Sequence, residues 1–136
     1  MATEFTVLIE DRPGALADLT ETLAQNGINL MAIHAVPCPG QQGVVQMITN
    51  HNDATVNALR DAGVEYTVRE VLLVNLVDQP GSLARLTRAL GAEGINISAV
   101  YITMRGQVVI AADDLARAQR IALEVTSDQG ARRAGE

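Results

Sequence analysis

A stretch of twenty residues occurs twice in this 136-residue chain, and this repeat limits the possible folds more than any other feature. Residues 11–30 recur 67 positions later as residues 78–97, with eleven of the twenty aligned positions identical. The identities include leucines at helical spacing, but also Asp, Pro and Gly before the helix and Gly-Ile-Asn after it. A helix needs only periodic apolar residues, a cap and a stop. The repeated loop residues therefore suggest that both ends of this helix have a function.

The period of the repeat predicts two structural units, residues 1–70 and residues 71–136. A unit of roughly 65 residues buries only about 60% of its unfolded surface and is marginally stable by itself. We therefore expect the units to pack on each other or on a second copy of the chain, which favours a homodimer.

Charge and cysteine content exclude several classes of protein. The formal net charge is −6, and the ten basic residues are all scattered Arg, which argues against a nucleic-acid surface. The single cysteine, Cys38, cannot form a disulfide within the chain, which is typical of a reducing compartment. The first residues do not form a signal peptide, and no apolar run approaches the roughly 18 residues of a membrane helix. We expect a soluble, cytoplasmic protein without nucleic-acid or membrane partners.

Hydrophobic periodicity predicts the elements of the first unit. Residues 3–10 alternate as a strand, and the following leucines form one apolar helix face. We expect Pro13 in the first turn of that helix and Gly27 at its end. Two strands are predicted over residues 28–36 and 44–49, with the loop 37–43 between them.

A second helix, capped by Asn52 or Asp53, is predicted to end near residue 62. Residues 64–77 contain no turn signal, so they are expected to hold the last strand of the first unit and the first strand of the second. The linker between the units is nearly absent.

The second unit repeats this order until its final strand. Its predicted helix and strands cover residues 81–92, 95–104 and 107–112. A helix capped by Asp113 or Asp114 follows, and the polar tail 126–136 carries no strand pattern and is expected to fray.

Strand–helix–strand–strand–helix–strand with right-handed crossovers is the order of a ferredoxin-like unit, an antiparallel sheet with two helices on one face. The predicted fold class is α+β, with two ferredoxin-like βαββαβ units in tandem and no clear last strand in the second. That strand lies at a sheet edge, so its loss is tolerable and leaves an edge open for pairing.

The repeated loops have the chemistry of a site for a zwitterion. The backbone N–H groups of residues 14–16 and 81–83 open helix N-termini, which favour an anion such as an α-carboxylate. Gly14 and Gly81 have no Cβ, so a ligand can approach the backbone closely. Simple turn chemistry is the alternative explanation for the Pro-Gly pairs.

Asp and Asn side chains complete this hypothesis. Asp11 and Asp78 can accept hydrogen bonds from an α-ammonium group, or alternatively cap their helices. Asn29 and Asn96 offer both donors and acceptors, or alternatively bond only the turn that precedes them.

The motif Asp-x-Pro-Gly-x-Leu, followed by Gly-Ile-Asn at the next strand, resembles the ACT domain over residues 3–70 and 71–125. The resemblance implies a regulatory fold that is attached to many enzymes of amino-acid pathways and also occurs as stand-alone tandem pairs. It further implies a free amino acid bound between two units, against the first loop of one and the start of the second strand of its neighbour. By position, the implied ligand contacts are Asp11, Arg12, Gly14, Ala15, Leu16 and Asn29, and Asp78, Gln79, Gly81, Ser82, Leu83 and Asn96.

The leading hypothesis is a non-enzymatic sensor of a free amino acid that needs no cofactor. It would act as a stand-alone binding protein or as the regulatory subunit of a biosynthetic enzyme. A dimerisation module that has lost its ligand is an alternative. A small acyl-phosphate hydrolase is another, in which Arg12 and Asn29 would act, but the chain lacks a Gly-rich phosphate loop.

Other sites find little support. His34, Cys38 and His51 are three scattered groups, too few and too far apart in sequence to predict a zinc site. A copper-binding relative of this fold would need two cysteines in the first loop, and an RNA-binding one would need stacking aromatics on its sheet, of which the chain has only three in all.

Overall fold

The computed structural model describes residues 1–38 and 42–135, with the side chains of all of these except 132 and 133. Its elements are β1 (Ala2–Ile9), α1 (Ala15–Gln25), β2 (Leu30–Val36), β3 (Gly43–Thr49), α2 (Asn52–Asp61), β4 (Tyr66–Val74), α3 (Ser82–Ala92), β5 (Ile97–Ile102), β6 (Val108–Ala112) and α4 (Leu115–Ala134). The predicted α+β class is confirmed. The chain divides into two compact units, Ala2–Arg69 and Glu70–Glu136 with Met1.

The first unit has the strand order β2-β3-β1-β4, which is the order of a ferredoxin-like sheet. β3 pairs antiparallel with both β1 and β2. The register sets Phe5 opposite Met47 and Val7 opposite Val45, so these side chains share one face of the sheet. That face is covered by the two helices, and the core consists of Phe5, Val7, Leu19, Leu23, Ile28, Val45, Met47, Ala58 and Leu59.

The second unit has the strand order β4-β6-β5, with both pairs antiparallel. Its core repeats the pattern of the first, with Leu72, Val74, Leu86, Leu90, Ile95, Val108, Ile110, Ala118 and Ala122. The predicted absence of a last strand is confirmed for the described residues, since α4 leads into no further strand.

β4 is one uninterrupted strand of nine residues within the stretch predicted to be extended over 64–77. It crosses the boundary between the units, which lies after Arg69. Within the first unit, Arg69 Nε lies 2.6 Å from Oε1 of Glu4, whose side chain is 0% exposed. A buried carboxylate is tolerated only when it is paired, so this contact is a condition for burying Glu4 in β1.

α4 is longer than the sequence predicts, because residues 126–134 continue the helix where we expected a polar tail. The polar side chains are accommodated within the helix: the Thr126 hydroxyl donates to Ala122 O at 2.9 Å and the Ser127 hydroxyl to Leu123 O at 2.8 Å. Gln129 is buried against the chain that follows β4. The expected fraying stays a prediction for amide exchange, and residue 136 lies outside the described residues.

Two predicted helix starts are wrong. α1 begins at Ala15 behind Gly14, whose φ of +85° is left-handed, so Pro13 lies before the helix and not in its first turn. α2 is capped by His51, whose Nδ1 accepts from the N–H of Ala54 at 3.1 Å, and not by Asn52 or Asp53.

The last helix starts as predicted, because Asp114, one of the two expected caps, accepts from Arg117 N at 3.2 Å. The predicted loop 37–43 falls partly on residues 39–41, which lie outside the described residues. No helix in the described parts of the chain is long and apolar enough to span a bilayer.

Candidate functional site

The two repeated loops have the same backbone. Gly14 and Gly81 both hold a left-handed conformation, with φ of +85° and +90°. The residue after each glycine donates back across the turn, Ala15 N to Arg12 O at 3.3 Å and Ser82 N to Gln79 O at 3.2 Å. This conformation favours glycine strongly, which explains why the same residue appears at both positions.

Neither α1 nor α3 has a side-chain cap at its start. The first bonds within these helices run from Asp18 N to Gly14 O and from Arg85 N to Gly81 O, each at 2.9 Å. Among the described residues, the N–H groups of residues 16 and 17 and of residues 83 and 84 have no acceptor, so they stay available to an anion, and the helix dipole also favours negative charge there.

The capping alternative for Asp11 and Asp78 is wrong, because the N-cap residues are the glycines. Both aspartates are exposed and make no side-chain hydrogen bond or ion pair with the described residues. Their carboxylates are therefore open to a cationic group.

Arg12 is bound to acids of its own unit. Its Nε lies 2.6 Å from Glu10 Oε2, and its Nη2 lies 3.1 Å from Asp18 Oδ2. Its Nη1 also donates to the carbonyl of Pro13 at 3.2 Å. The hydrogen bond that Arg12 donates to Glu10, and then the one it donates to Asp18, raise the pKa of the Arg12 guanidinium, which is a fixed positive charge balanced by two carboxylates.

The second loop has different charges on the same backbone. Gln79 takes the position of Arg12, and Arg85 takes the position of Asp18. Arg85 makes no ion pair with any described acid, and its Nη2 makes one long contact with Ser82 Oγ at 3.5 Å. An arginine nevertheless lies close to the glycine in both units. A Cβ built on Gly14 would be 3.7 Å from Arg12 Nη1, and one built on Gly81 would be 3.5 Å from Arg85 Nη1.

Asn29 and Asn96 present free side chains from a fixed backbone. Both are exposed, and neither side-chain amide bonds the preceding turn or any other described residue. The backbone N–H of Asn29 donates to Asn50 Oδ1 at 2.9 Å, and that of Asn96 donates to Asp113 Oδ1 at 3.1 Å. The alternative that these asparagines only satisfy the turn is therefore wrong.

Asn50 and Asp113 are supporting residues that the sequence analysis missed in this role. Each stands directly before the residue that caps the next helix, His51 or Asp114. The signal in the sequence that could have indicated this role is that Asn50 and Asp113 occupy equivalent positions in the two units.

The remaining predicted residues complete the loop surfaces. Ala15 and Ser82 are buried at the helix starts, whereas Leu16 and Leu83 are exposed on the next turn and offer apolar contact. A cleft of about 270 Å³ lies beside the first loop, and its lining includes Arg12 and Ala15. Inside either unit, no hydrogen bond of the described residues joins the loop to the asparagine.

His34, Cys38 and His51 do not form a metal-binding group in the described parts of the chain. Within residues 1–38 and 42–135, no three His, Cys, Asp or Glu side chains are grouped closely enough to hold a metal ion. His51 has a structural contact as the cap of α2.

Comparison with protein families gives a match of residues 1–130 to a family described as the ACT domain pair. A search of curated protein sequences gives no match. Among solved structures, a protein from Bacteroides thetaiotaomicron is similar, with a TM-score of 0.82 and 26% identity over 90% of this chain and 87% of that one.

The regulatory subunits of two aspartate kinases also share the fold. That of Thermus thermophilus, in a ligand-free form, has a TM-score of 0.69 and 19% identity over 92% of this chain and 90% of its own. That of Thermus flavus has a TM-score of 0.62 and 20% identity over 92% of both chains.

Proposed function

The chain belongs to the ACT domain pair family, and on that premise we propose that it is a non-enzymatic regulatory protein that binds a free amino acid at its repeated loops. The family match confirms the resemblance drawn from the repeated motif and supports a regulatory role. The observation that carries the proposal is the pair of uncapped helix starts behind left-handed glycines, each accompanied by an aspartate that has no partner among the described residues.

The loop chemistry suits the two charges of an amino acid. An α-carboxylate would accept from the free N–H groups of the first helical turn, where Leu16 or Leu83 lies. An α-ammonium group would donate to the carboxylate of Asp11 or Asp78. The asparagine of a neighbouring unit, Asn29 or Asn96, would complete the site as donor and acceptor.

The form of regulation has two versions. The chain could act as a stand-alone sensor, or as a separate regulatory subunit of an amino-acid biosynthetic enzyme. The second version is analogous to the Thermus regulatory subunits of aspartate kinase, which have a similar length and fold. A pull-down with and without added amino acids separates the two.

The ion pairs of Arg12 argue against the acyl-phosphate hydrolase alternative. Such an enzyme needs a guanidinium that is free to hold the phosphate, whereas Arg12 is bound to Glu10 and Asp18. Release of phosphate from acetyl phosphate by the purified protein would contradict this argument.

A thermal-shift screen of the twenty amino acids tests the proposal. A ligand at 100 times its Kd stabilises the folded state by about 2.7 kcal/mol, which for a chain of this size raises Tm by about 5–15 °C. No shift with any amino acid would contradict the proposal and favour a dimerisation module without ligand.

A further inference from the structure

The outer faces of α1 and α3 carry opposite charges at equivalent positions. The repeat places Arg85 of α3 where α1 has Asp18, and Arg88 where α1 has Glu21. All four side chains are exposed. α1 contains no basic residue and α3 contains no acidic one, so the first helix has an acidic face, Asp18 and Glu21, and the other has a basic face, Arg85 and Arg88.

Most of these charges are not balanced inside the chain. Among the described residues, Glu21, Arg85 and Arg88 form no ion pair. Asp18 has one, from its Oδ2 to Arg12 Nη2 at 3.1 Å. The two charges of each face are three positions apart on one helix, where like charges repel each other. An oppositely charged surface against either helix would offset this repulsion.

Short side chains beside the charges leave room for a second helix. Ala84 and Ala92 line, with Arg85 and Arg88, a shallow depression of about 810 Å³ on the surface of α3. α1 also has an exposed alanine, Ala17, at the position of Ala84. Packed helices lie about 8–10 Å apart, depending on the side chains at the contact, so alanines allow a close approach. The longer charged side chains can then pair along the contact.

A second copy of the chain supplies the complementary face for each helix. Contact of α1 with α1 of another copy would bring four carboxylates together, and contact of α3 with α3 would bring four guanidinium groups together. Only contact of α1 with α3 joins opposite charges. Repulsion between like faces therefore selects the unlike pair as effectively as attraction does.

We propose that the acidic face of α1 in one copy docks against the basic face of α3 in a second copy. Because every copy has both faces, two copies can close the assembly as a dimer through two such contacts. The inference is independent of amino-acid binding. It goes beyond the homodimer predicted from the size of the units, because it names the surfaces that join.

A charge swap in the full-length protein tests the contact. One variant carries Asp18→Arg and Glu21→Arg, which makes both of its faces basic. The other carries Arg85→Glu and Arg88→Glu, which makes both of its faces acidic. Exposed ion pairs are individually weak, so both charges of a face are reversed together, and each variant alone should dimerise about 10-fold or more weakly than the wild type in analytical ultracentrifugation. An equimolar mixture should regain the dimer, because each face of one variant then meets an opposite face of the other.

The controls make the same changes in net charge outside both faces. Asp53→Arg with Asp61→Arg alters α2, and Arg105→Glu with Arg120→Glu alters the second unit. All four side chains are exposed and have no hydrogen bond or ion pair among the described residues. Both controls should dimerise like the wild type. A loss of dimer in the controls as large as in the face variants would show that net charge alone governs association, and would overturn the proposal.

Salt provides a second measurement that needs no variant. The wild-type dimer should weaken as sodium chloride rises from about 0.05 M to about 0.5 M, because exposed charge pairs are screened. A monomeric wild type or a dimer whose Kd does not change with salt would overturn the proposal. Face variants that dimerise like the wild type would also overturn it, and would leave another surface, such as the edge strand β5, to join the copies.

Discussion

Asn29 and Asn50 are joined by a reciprocal pair of hydrogen bonds. The N–H of Asn29 donates to Asn50 Oδ1 at 2.9 Å, and the N–H of Asn50 donates to the carbonyl of Asn29 at 3.1 Å. Asn96 and Asp113 form the same pair in the second unit, at 3.1 and 3.2 Å. The backbones of Asn29 and Asn96 are therefore held in place, while their own side chains have no partner among the described residues, as the proposed site would require.

This arrangement predicts that Asn50 contributes to the stability of the fold and that the side chain of Asn29 does not. Asn50→Ala should lower the free energy of unfolding by about 1 kcal/mol, since it leaves the N–H of Asn29 without its acceptor. Asn29→Ala should change it by less than about 0.5 kcal/mol, since an exposed side chain without contacts is lost. Urea denaturation of both variants measures the difference, and equal stabilities would contradict the assigned roles.

The left-handed glycines predict a second pair of outcomes. Gly14→Ala and Gly81→Ala should each destabilise the fold by about 1–2 kcal/mol, because φ near +90° strains any residue with a Cβ. The added methyl group itself meets only ordinary contacts at 3.7 and 3.5 Å, so the cost comes from the backbone.

Gly91→Ala is the matched control. Gly91 lies within α3 at negative φ, and a Cβ there meets no atom within 4 Å. Alanine should therefore stabilise the helix by about 0.5–1 kcal/mol. In thermal unfolding we expect Gly14→Ala and Gly81→Ala to lower Tm and Gly91→Ala to raise it. An unchanged Tm for Gly81→Ala would contradict the conformational argument.

The pair of Glu4 and Arg69 predicts a non-additive effect. Arg69→Met should cost about 2 kcal/mol or more, because it removes a cation from a carboxylate that is fully buried. The double change Glu4→Gln with Arg69→Met should cost less than the sum of the single changes, as expected for groups in direct contact. A double-mutant cycle by denaturant unfolding measures this, and additive costs would show that the ion pair is unimportant.

Much of the fold could be predicted from periodicity and glycine placement, because both act locally. The leucines of α1 and α3 and the strands around Phe5 and Val109 are examples. The helix caps could not be predicted in full, since a left-handed Gly14 and an imidazole cap from His51 replace the usual Asp and Asn chemistry.

The site was predictable to the extent that it consists of repeated residues. The contacts that define its charge differ between the two copies of the repeat, and sequence spacing did not indicate them. Arg12 is bound to Glu10 outside the repeat and to Asp18 within it, and Gln129 contacts Val77, directly before the second loop, only because the polar end of α4 stays helical. Such contacts depend on the tertiary structure, which a single sequence pattern does not specify.

The homodimer stays a prediction, and β5 is where it is most readily tested. This strand lies at the edge of its sheet, and Ile102 at its end and Met104 in the following turn are 65% and 83% exposed. Light scattering should give twice the chain mass of 14.4 kDa at micromolar concentration. Ile102→Lys should shift the equilibrium toward monomer if this edge pairs, whereas a monomeric wild type would contradict the prediction.

The central claim is that the repeated loops and their asparagines bind a free amino acid. It is tested most directly by calorimetric titration of wild type, Asn29→Ala and Asn96→Ala with the amino acid found in the thermal screen. Loss of a hydrogen bond to a charged ligand should weaken binding about 10- to 100-fold in at least one of the two variants. An effect of only one variant would mean that a single site is used, and wild-type affinity in both would contradict the account.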